Sequence, residues 1–578
     1  MLKPKKILEK IPVYQTDEYF ENYDLKLDSN ENLYDVSPKV LEVLSNVCKK
    51  DISFYPCYGE LLDKLAKEHF VDKNNILLTN GCDEAISVVF STYLEKGDKV
   101  VSFAPTFAMP KIYANVNGAK FIEVDYKQKW VFDVQEIVKN IDNKTKIIHL
   151  TSPNSPTGEN IELHEIEYIL ENYQDKLVVL DVTYGSFVER GQDFFGLIKE
   201  YPNLVIVKSF SKDYALAGLR LGYIVTNKKN IENIKKVISP YSVNTYAVKA
   251  GIAVLDDKKY LNDMKAEIIS SRKLLINGLS KLGFSAYDSE TNFVLCDFKN
   301  YSSFAYKKLL TNSIKVKNFG NKKNLENCFR ISVPKVSDTK KILNALSSKT
   351  LLVFDLDGVV FDVQNSYRLA IEKTFEFFTG KKLLKGEIQE AKNLGGLNCD
   401  WDLTEFLLKK YGVNRKKAEI IEVFQQYFFN EKNEGSKGLI DNEKLLLDKL
   451  GFEKLSKIYD LCVFTGRPRN EAIYSLQKFG ILKYFNIIVA KEDLPKNKQK
   501  PHPEGLNYII KNSYFKDIYY LGDTGDDMLC AKSAGVNAIG VLPPNEQNDI
   551  YKNHLIKSGA SVVIQNIGDI LKVNEGQK

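Results

Sequence analysis

Two stretches of the chain hold residue types whose spacing suits covalent chemistry. In VKSFSKDYALAGLRLGY, residues 207–223, Lys212 follows the hydroxyls of Ser209 and Ser211 and precedes, after an Ala/Leu/Gly run, Arg220. A Schiff-base lysine beside hydroxyl and guanidinium donors for a phosphate is what pyridoxal 5′-phosphate (PLP) requires. In TLLVFDLDG, residues 350–358, an apolar run ends in Asp355 and Asp357. Two carboxylates at that spacing reach one loop, the first as a nucleophile and the second as an acid for a leaving alcohol.

Each pair has companions further along the chain. In TNGCDEAI a glycine turn opens a helix, so the amides around Gly81, Cys82 and Asp83 can meet a phosphate. In LTSPNSPTG, Asn154 can offer its amide to the phenolic oxygen of the ring, and in VVLDVTYG Asp181 can hold the pyridine nitrogen protonated while Tyr184 joins Asn154. For the second pair, LCVFTGRP ends a strand in Thr465, NKQKPHPEGL supplies Lys500, and IYYLGDTGDDM brings Asp523 and Asp527. Thr465 and Lys500 can hold phosphate oxygens. Asp355, Asp523, Asp527 and the carbonyl of Asp357 suit a hard octahedral ion, so Mg²⁺ is the expected metal.

These residues need a scaffold that ends strands at loops. Short β-branched runs (NILLTNG, DKVVSFAP, TKIIHLTS, LVVLDVTYG, LVIVKSF) alternate with segments of helical period up to about residue 346, which predicts an α/β architecture with a mostly parallel or mixed sheet. The amphipathic SDTKKILNALSS closes this part, and TLLVFDLDG begins at once. The expected division is a first domain over 1–346, a short linker over 347–350 and a second domain over 351–578. Between Asp357 and Thr465 lies an insertion with helical stretches such as YRLAIEKTFEFFTG and TEFLLKKYG, far longer than an ordinary βα connection.

Composition narrows the class. The 578 residues suffice for several domain-sized cores, and no apolar run approaches the ~20 residues of a membrane helix. The start, MLKPKKILEKIPVYQ, lacks an apolar stretch with a cleavage site, so secretion is not expected. The eight cysteines show no paired spacing and fit a reducing cytoplasm. A formal charge of +6 with interleaved acids argues against nucleic acid as a partner.

The first part resembles the fold-type I aminotransferases and, within them, the histidinol-phosphate aminotransferase family. The resemblance runs over nearly all of residues 10–346, through DSNENLYDVSP, FYPCYGELLDKLA, TNGCDEAI, APTFAMPKIYA, SPNSPTG, SKDYALAGLRLGY, PYSVNTYA, TNFVL and CFRISV. It implies a large mixed, mostly parallel sheet with a smaller α+β domain and PLP as cofactor. It implies further that Phe107 stacks on the ring, that Tyr55 reaches the cofactor phosphate of the neighbouring subunit in a homodimer, and that Arg330 binds a substrate carboxylate. Four positions depart from the family: Val182 and Thr183 stand where Glu and Ala are usual, Leu33 replaces a proline, and Lys317 replaces the arginine that grips a substrate phosphate. Lysine binds phosphate as a point charge and cannot form a bidentate fork.

The second part is similar to the haloacid dehalogenase (HAD) superfamily from residue 351 to about 570, through its four motifs in order. That resemblance implies a Rossmann-like core with a helical cap, about 364–445, of the type that goes with small phosphorylated metabolites. HAD phosphatases of histidine biosynthesis are generally cap-poor, unlike this chain. In GGLNCDWDLT, Trp401 lies between acids and is either a buried cap aromatic or a substrate contact.

The leading expectation is a bifunctional enzyme. A keto-alcohol phosphate becomes an amino-alcohol phosphate at Lys212, with glutamate as amino donor, and the phosphatase site at Asp355 then removes the phosphate. Imidazole-acetol phosphate and dihydroxyacetone phosphate are both candidate ketones. Decarboxylation of an amino acid phosphate at the same lysine, two independent activities joined in one chain, and a PLP-binding regulator stand as alternatives.

Overall fold

The computed structural model describes residues 4–11, 13, 23–191, 193–347, 350–384, 386–393, 399–429, 438–513, 515 and 517–571. Ser348 and Lys349 of the expected linker and residues 395–398 of the GGLNCDWDLT stretch lie outside them. The chain forms two compact units, one of residues 1–302 and 313–344, the other of 303–312 and 345–578. The second therefore includes most of the helix Ser302–Thr311, whose Lys308 Nζ lies 3.1 Å from Asp460 with both side chains buried.

The first unit contains two sheets. Its strands are β1 (Leu25–Leu27), β2 (Ile76–Thr79), β3 (Lys99–Ala104), β4 (Lys120–Asp125), β5 (Thr145–Thr151), β6 (Leu177–Asp181), β7 (Leu204–Ser209), β8 (Gly222–Thr226), β9 (Ser285–Ala286), β10 (Phe293–Asp297), β11 (Ile314–Asn318) and β12 (Cys328–Ser332). The large sheet has the order β2-β8-β7-β6-β5-β3-β4. Its pairings are parallel except those of β8, which runs against both neighbours. Every residue of β6, β7 and β8 is buried, which explains why LVVLD and LVIV read as continuous apolar runs rather than alternating ones. The five runs singled out in the sequence become β2, β3, β5, β6 and β7. The small sheet, β1-β11-β12-β10-β9, is mostly antiparallel and sets Lys317 opposite Arg330.

The second unit is built on one six-stranded parallel sheet: β13 (Thr350–Phe354), β16 (Asp460–Phe464), β17 (Phe485–Val489), β18 (Asp517–Gly522), β19 (Asn537–Val541) and β20 (Val562–Ile564) in the order β17-β16-β13-β18-β19-β20. A short antiparallel pair, β14 (Phe361–Asp362) with β15 (Lys444–Leu445), closes the base of the insertion. Between these strands the described residues form the helices Leu369–Thr379, Glu387–Asn393, Asp400–Lys410 and Lys417–Phe429. Phe375, Leu407 and Phe424 from these helices join Phe354, Phe361 and Leu461 in one apolar cluster, so the insertion is anchored by burial rather than tethered.

Among the described residues no helix is long and apolar enough to cross a membrane.

Candidate active sites

In the first unit a cavity of about 350 Å³ opens at the ends of β5, β6 and β7 and is lined by Cys82, Asp83, Phe107, Asp181, Tyr184, Ser209, Ser211, Lys212, Arg220, Lys317 and Arg330, among others. The C-terminal ends of parallel strands are where such folds place ligands, because the connecting loops and helix N-termini converge there. Lys212 Nζ donates to the carbonyl of Ser29 at 2.9 Å. Desolvation, and then the positive charge of Arg330, push its amine down to about 8, against the opposing pull of Glu31. Burial and a neighbouring cation both favour the neutral, nucleophilic form of an amine.

Asp181 ends β6 and is buried; its Oδ1 accepts from the amide of Thr183 at 2.9 Å. Burial raises its carboxyl above the usual range, and a cationic ring nitrogen is the partner that reverses such a penalty. Opposite it, Gly81 opens the helix Gly81–Tyr93 with φ +78°, and a Cβ there would lie 2.8 Å from Nη2 of Arg220. The glycine thus lets the guanidinium close over the helix N-terminus. Ser209 Oγ donates to Ser211 Oγ at 2.8 Å, and Arg220 Nη2 to Asp83 Oδ2 at 3.0 Å. Two hydroxyls, a guanidinium and a helix N-terminus form a phosphate cradle, and Asp181 and Lys212 are the two groups the ring and aldehyde of PLP require; the residues fit this cofactor.

The remaining expected residues divide. Tyr184 accepts at its hydroxyl from Asn30 Nδ2 at 2.9 Å. Arg330 donates to Ser155 Oγ at 3.1 Å and to the carbonyl of Asp28 at 2.8 Å. Asn154 does not line the cavity; its Nδ2 donates to the carbonyl of Pro105 at 3.0 Å and to Thr157 Oγ1 at 2.6 Å. Tyr55 is 78 % exposed, outside the cavity of its own chain, with its ring stacked 4.4 Å from that of Tyr241. Among the lining residues that were not assigned a role from sequence are Asn30, within the quoted DSNENLYDVSP, and Lys26, whose Nζ pairs with Glu31 at 2.7 Å and Asp28 at 3.0 Å.

In the second unit a tighter pocket of about 80 Å³ lies at the C-terminal ends of β13 and β18. The amide of Asp355 donates to Leu521 O at 2.8 Å, which fixes the loop after β13 against β18. Carboxylate oxygens of Asp355, Asp523 and Asp527 all lie within 4.8 Å of one another. Lys500 Nζ sits between two of them, 3.0 Å from Asp355 Oδ1 and 2.8 Å from Asp527 Oδ1. Asp527 also accepts from Tyr520 at 2.9 Å and from the Thr524 hydroxyl at 2.6 Å, so it anchors the lysine. Burial raises the Asp355 carboxyl, Lys500 opposes that, and the charges of Asp527 and Asp357 add to it.

Gly358 has φ +72°, and a Cβ on it would lie 2.2 Å from Asp523 Oδ2. Only glycine leaves room for that carboxylate. An all-oxygen cluster with this net negative charge fits Mg²⁺. The Asp357 carboxyl, by contrast, turns to Arg467, whose Nε donates to it at 2.6 Å. Thr465 is buried after β16 and accepts at Oγ1 from the amide of Arg467 at 3.2 Å; it is not among the residues lining the pocket. Trp401 does line it, with Lys491 Nζ 4.3 Å from its ring centre. Arg467 went unassigned in the sequence although it lies in the quoted LCVFTGRP; its partner Glu443, across the insertion, carries no local signal.

Comparison with known proteins agrees with this division. Residues 23–347 match the family model of aminotransferase class I and II, and residues 352–541 that of haloacid dehalogenase-like hydrolases. The chain belongs to the class I and II aminotransferases and carries a HAD-like hydrolase domain after the aminotransferase domain. More closely, it is similar to histidinol-phosphate aminotransferase 1 of Carboxydothermus hydrogenoformans, 34 % identical over 330 residues that make up 56 % of this chain and 93 % of the relative. Among solved structures it resembles the histidinol-phosphate aminotransferase of Clostridium acetobutylicum, with 26 % identity, a TM-score of 0.52 and coverage of 56 % of this chain and 98 % of that one. The PLP complex of the Sinorhizobium meliloti histidinol-phosphate aminotransferase, 21 % identical with a TM-score of 0.55 over 60 % of this chain and 97 % of that one, shares the fold. The aminotransferase domain is thus a histidinol-phosphate aminotransferase-like, PLP-type transferase.

Proposed function

We propose that the chain performs two consecutive reactions on one carbon skeleton: transamination of a small keto-alcohol phosphate, with glutamate as amino donor, then Mg²⁺-dependent hydrolysis of the resulting amino-alcohol phosphate. Imidazole-acetol phosphate and dihydroxyacetone phosphate are the ketones the reading admits. The observation that carries it is the facing of Lys317 and Arg330 across β11 and β12 at the PLP-type cavity. A cation for the substrate phosphate then stands beside one for the carboxylate of the amino donor.

PLP, when bound, supplies an electron sink for the electrons of the Cα–H bond. Ser209, Ser211, Arg220 and the amides of Cys82 and Asp83 would hold its phosphate, and Asp181 would keep the proton on its ring nitrogen. Phe107 would cover one ring face. Lys212, whose amine burial and Arg330 push down to about 8, takes the proton from the substrate Cα and returns it as general acid. Tyr184 orients the phenolic oxygen and is itself held by Asn30.

In the hydrolase domain Asp355 attacks phosphorus, Asp357 gives a proton to the departing alcohol, and Lys500 and Thr465 hold phosphate oxygens. Asp355, Asp523 and Asp527, with the carbonyl of Asp357, would hold Mg²⁺. The exposed Tyr55 and Tyr241 support a homodimer in which each Tyr55 serves the partner's cavity. The eight cysteines, all free, suit a reducing cytoplasm.

The test is direct. Purified full-length protein with PLP, Mg²⁺ and glutamate is offered a panel of keto-alcohol phosphates, and 2-oxoglutarate and inorganic phosphate are measured together. One ketone should yield both products in sequence; 2-oxoglutarate without phosphate release across the panel removes the consecutive reading.

A further inference from the structure

The hydrolase pocket holds a charge cluster that the phosphoryl-transfer residues do not account for. Arg467, three residues beyond β16, has a side chain only 1 % exposed. Its Nε donates to Asp357 Oδ1 at 2.6 Å, and Nη2 contacts the same carboxyl. From the other side Nη2 lies 2.9 Å from Glu443 Oε1, and Nη1 donates to Glu443 Oε2 at 3.3 Å. Ser475 completes the ring: its Oγ accepts from Nη1 at 3.2 Å and donates to Glu443 Oε2 at 2.6 Å. The guanidinium also lies 4.8 Å from the ring centre of Tyr367 and 5.1 Å from that of Phe361.

Every face of the guanidinium is therefore fixed, by Glu443 just before β15, by Ser475 on the helix Arg469–Lys478, and by two aromatic rings. Buried ion clusters of this kind seldom stabilise a fold more than apolar residues of the same volume would. What they supply is geometry: a planar fork with one set of positions for its partners. Among the described residues that hydrogen-bond or ion-pair with the guanidinium, Asp357 is the one that lines the reaction pocket.

We infer that Arg467 is a positioning residue for Asp357, with Glu443 and Ser475 fixing the guanidinium so that the carboxyl stands where the leaving oxygen departs. The inference rests on the phosphatase reading. In that reaction a carboxylate oxygen of Asp355 bonds to phosphorus as the bond from phosphorus to the alcohol oxygen breaks. The departing oxygen takes the proton of Asp357, which becomes a carboxylate. A water then attacks phosphorus, passes one proton to Asp357, and leaves as inorganic phosphate with Asp355 restored. Proton donation matters for an aliphatic alcohol, a poor leaving group, and hardly at all for p-nitrophenolate, which departs without a proton.

Leaving-group dependence therefore separates positioning from mere structure. The full-length chain with Mg²⁺ is assayed on p-nitrophenyl phosphate and on the aliphatic phosphate monoester it turns over best. Arg467→Lys keeps the charge and loses the fork; it should lower kcat/KM on the aliphatic ester about a hundredfold and on the aryl ester by less than about fivefold, the span general-acid catalysis covers. Asp357→Asn, measured alongside, should show the same aliphatic-to-aryl disparity. Glu443→Gln, which loosens the anchor alone, should give the same disparity at about a tenth of the size, and it decides the matter if Arg467→Lys does not fold by thermal melting. Equal losses on both esters, or an unchanged aliphatic rate, overturn the inference. A wild-type chain that hydrolyses neither ester removes the phosphatase reading itself, and the inference with it.

Discussion

In the proposed reactions the two sites meet the same chemical group, a phosphate, from opposite electrostatic starting points. The aminotransferase cavity is wide and lined by five cations, Lys26, Lys212, Arg220, Lys317 and Arg330, against three acids, Asp28, Asp83 and Asp181. The hydrolase pocket is narrow and crowded with carboxylates, Asp355, Asp357, Asp523 and Asp527, of which Lys500 and Arg467 offset only part. The first can take up a phosphorylated cofactor and substrate directly. In the second the carboxylates oppose a phosphate, and a bound divalent cation would offset them.

That contrast is broken most sharply at the two nucleophiles. Lys212→Ala should abolish transamination, a loss of at least about a thousandfold, while hydrolysis of phosphate esters continues. Asp355→Asn should do the reverse by a similar factor, because an amide neither attacks phosphorus nor holds Mg²⁺ well. Coupled assays of 2-oxoglutarate and phosphate on both variants decide it. Loss of both activities in either folded variant would end the account of two separate sites.

Metal dependence gives a smaller and more local effect. Gly358→Ala places a methyl group against Asp523 and strains a left-handed backbone, so the Mg²⁺ concentration for half-maximal hydrolysis should rise about 10–100-fold. Transamination should be unaffected. On the other side, Lys317→Ala should raise KM for the phosphorylated ketone about tenfold, the loss of one charge-assisted contact, without changing KM for glutamate or the rate on phosphate esters. A glutamate KM that rises equally would assign Lys317 to the amino donor.

The smallest effect is one of pH. The Lys212 amine is depressed to about 8 by burial and by Arg330, with Arg220 acting the same way and Glu31 and Asp83 against it. The amine must be neutral to capture PLP, so the rate of reconstitution of the apo-protein should rise with pH and level off above about 8. Below that value it should fall about tenfold per unit, as the neutral fraction of the amine does. Arg330→Met should move the midpoint upward, toward the ordinary lysine value, as followed by cofactor absorbance. An unmoved midpoint would show that burial alone sets it.

Much of this was legible because local sequence and strand ends coincide. Lys212, Asp181 and Asp355 each follow or end an apolar run, at the strand ends where the two pockets open. TNGCDEAI, likewise, marks a glycine with positive φ whose missing Cβ leaves room for Arg220. What escaped depended on contacts between distant segments. Arg467 was in view in LCVFTGRP, but its role comes from Glu443, which the insertion separates from Asp357 by most of its length. Asn30 bonds Tyr184 across 154 residues, and no periodicity reports such a contact. Asn154 shows the converse: its motif points to the cofactor ring, yet its amide is taken up by Thr157 three residues on and by Pro105.

The claim that binds the two halves is shared specificity, and it can be measured with the first site silent. Lys212→Ala full-length protein, with Mg²⁺ present, is given the amino-alcohol phosphate that the wild-type aminotransferase site makes best, beside a panel of unrelated phosphate monoesters, and kcat/KM is determined for each. If the two reactions are consecutive, that amine ranks first, by about tenfold or more over the next ester, the discrimination that one or two substrate contacts confer. If it ranks no better than unrelated esters, the two activities are independent and the consecutive pathway is contradicted.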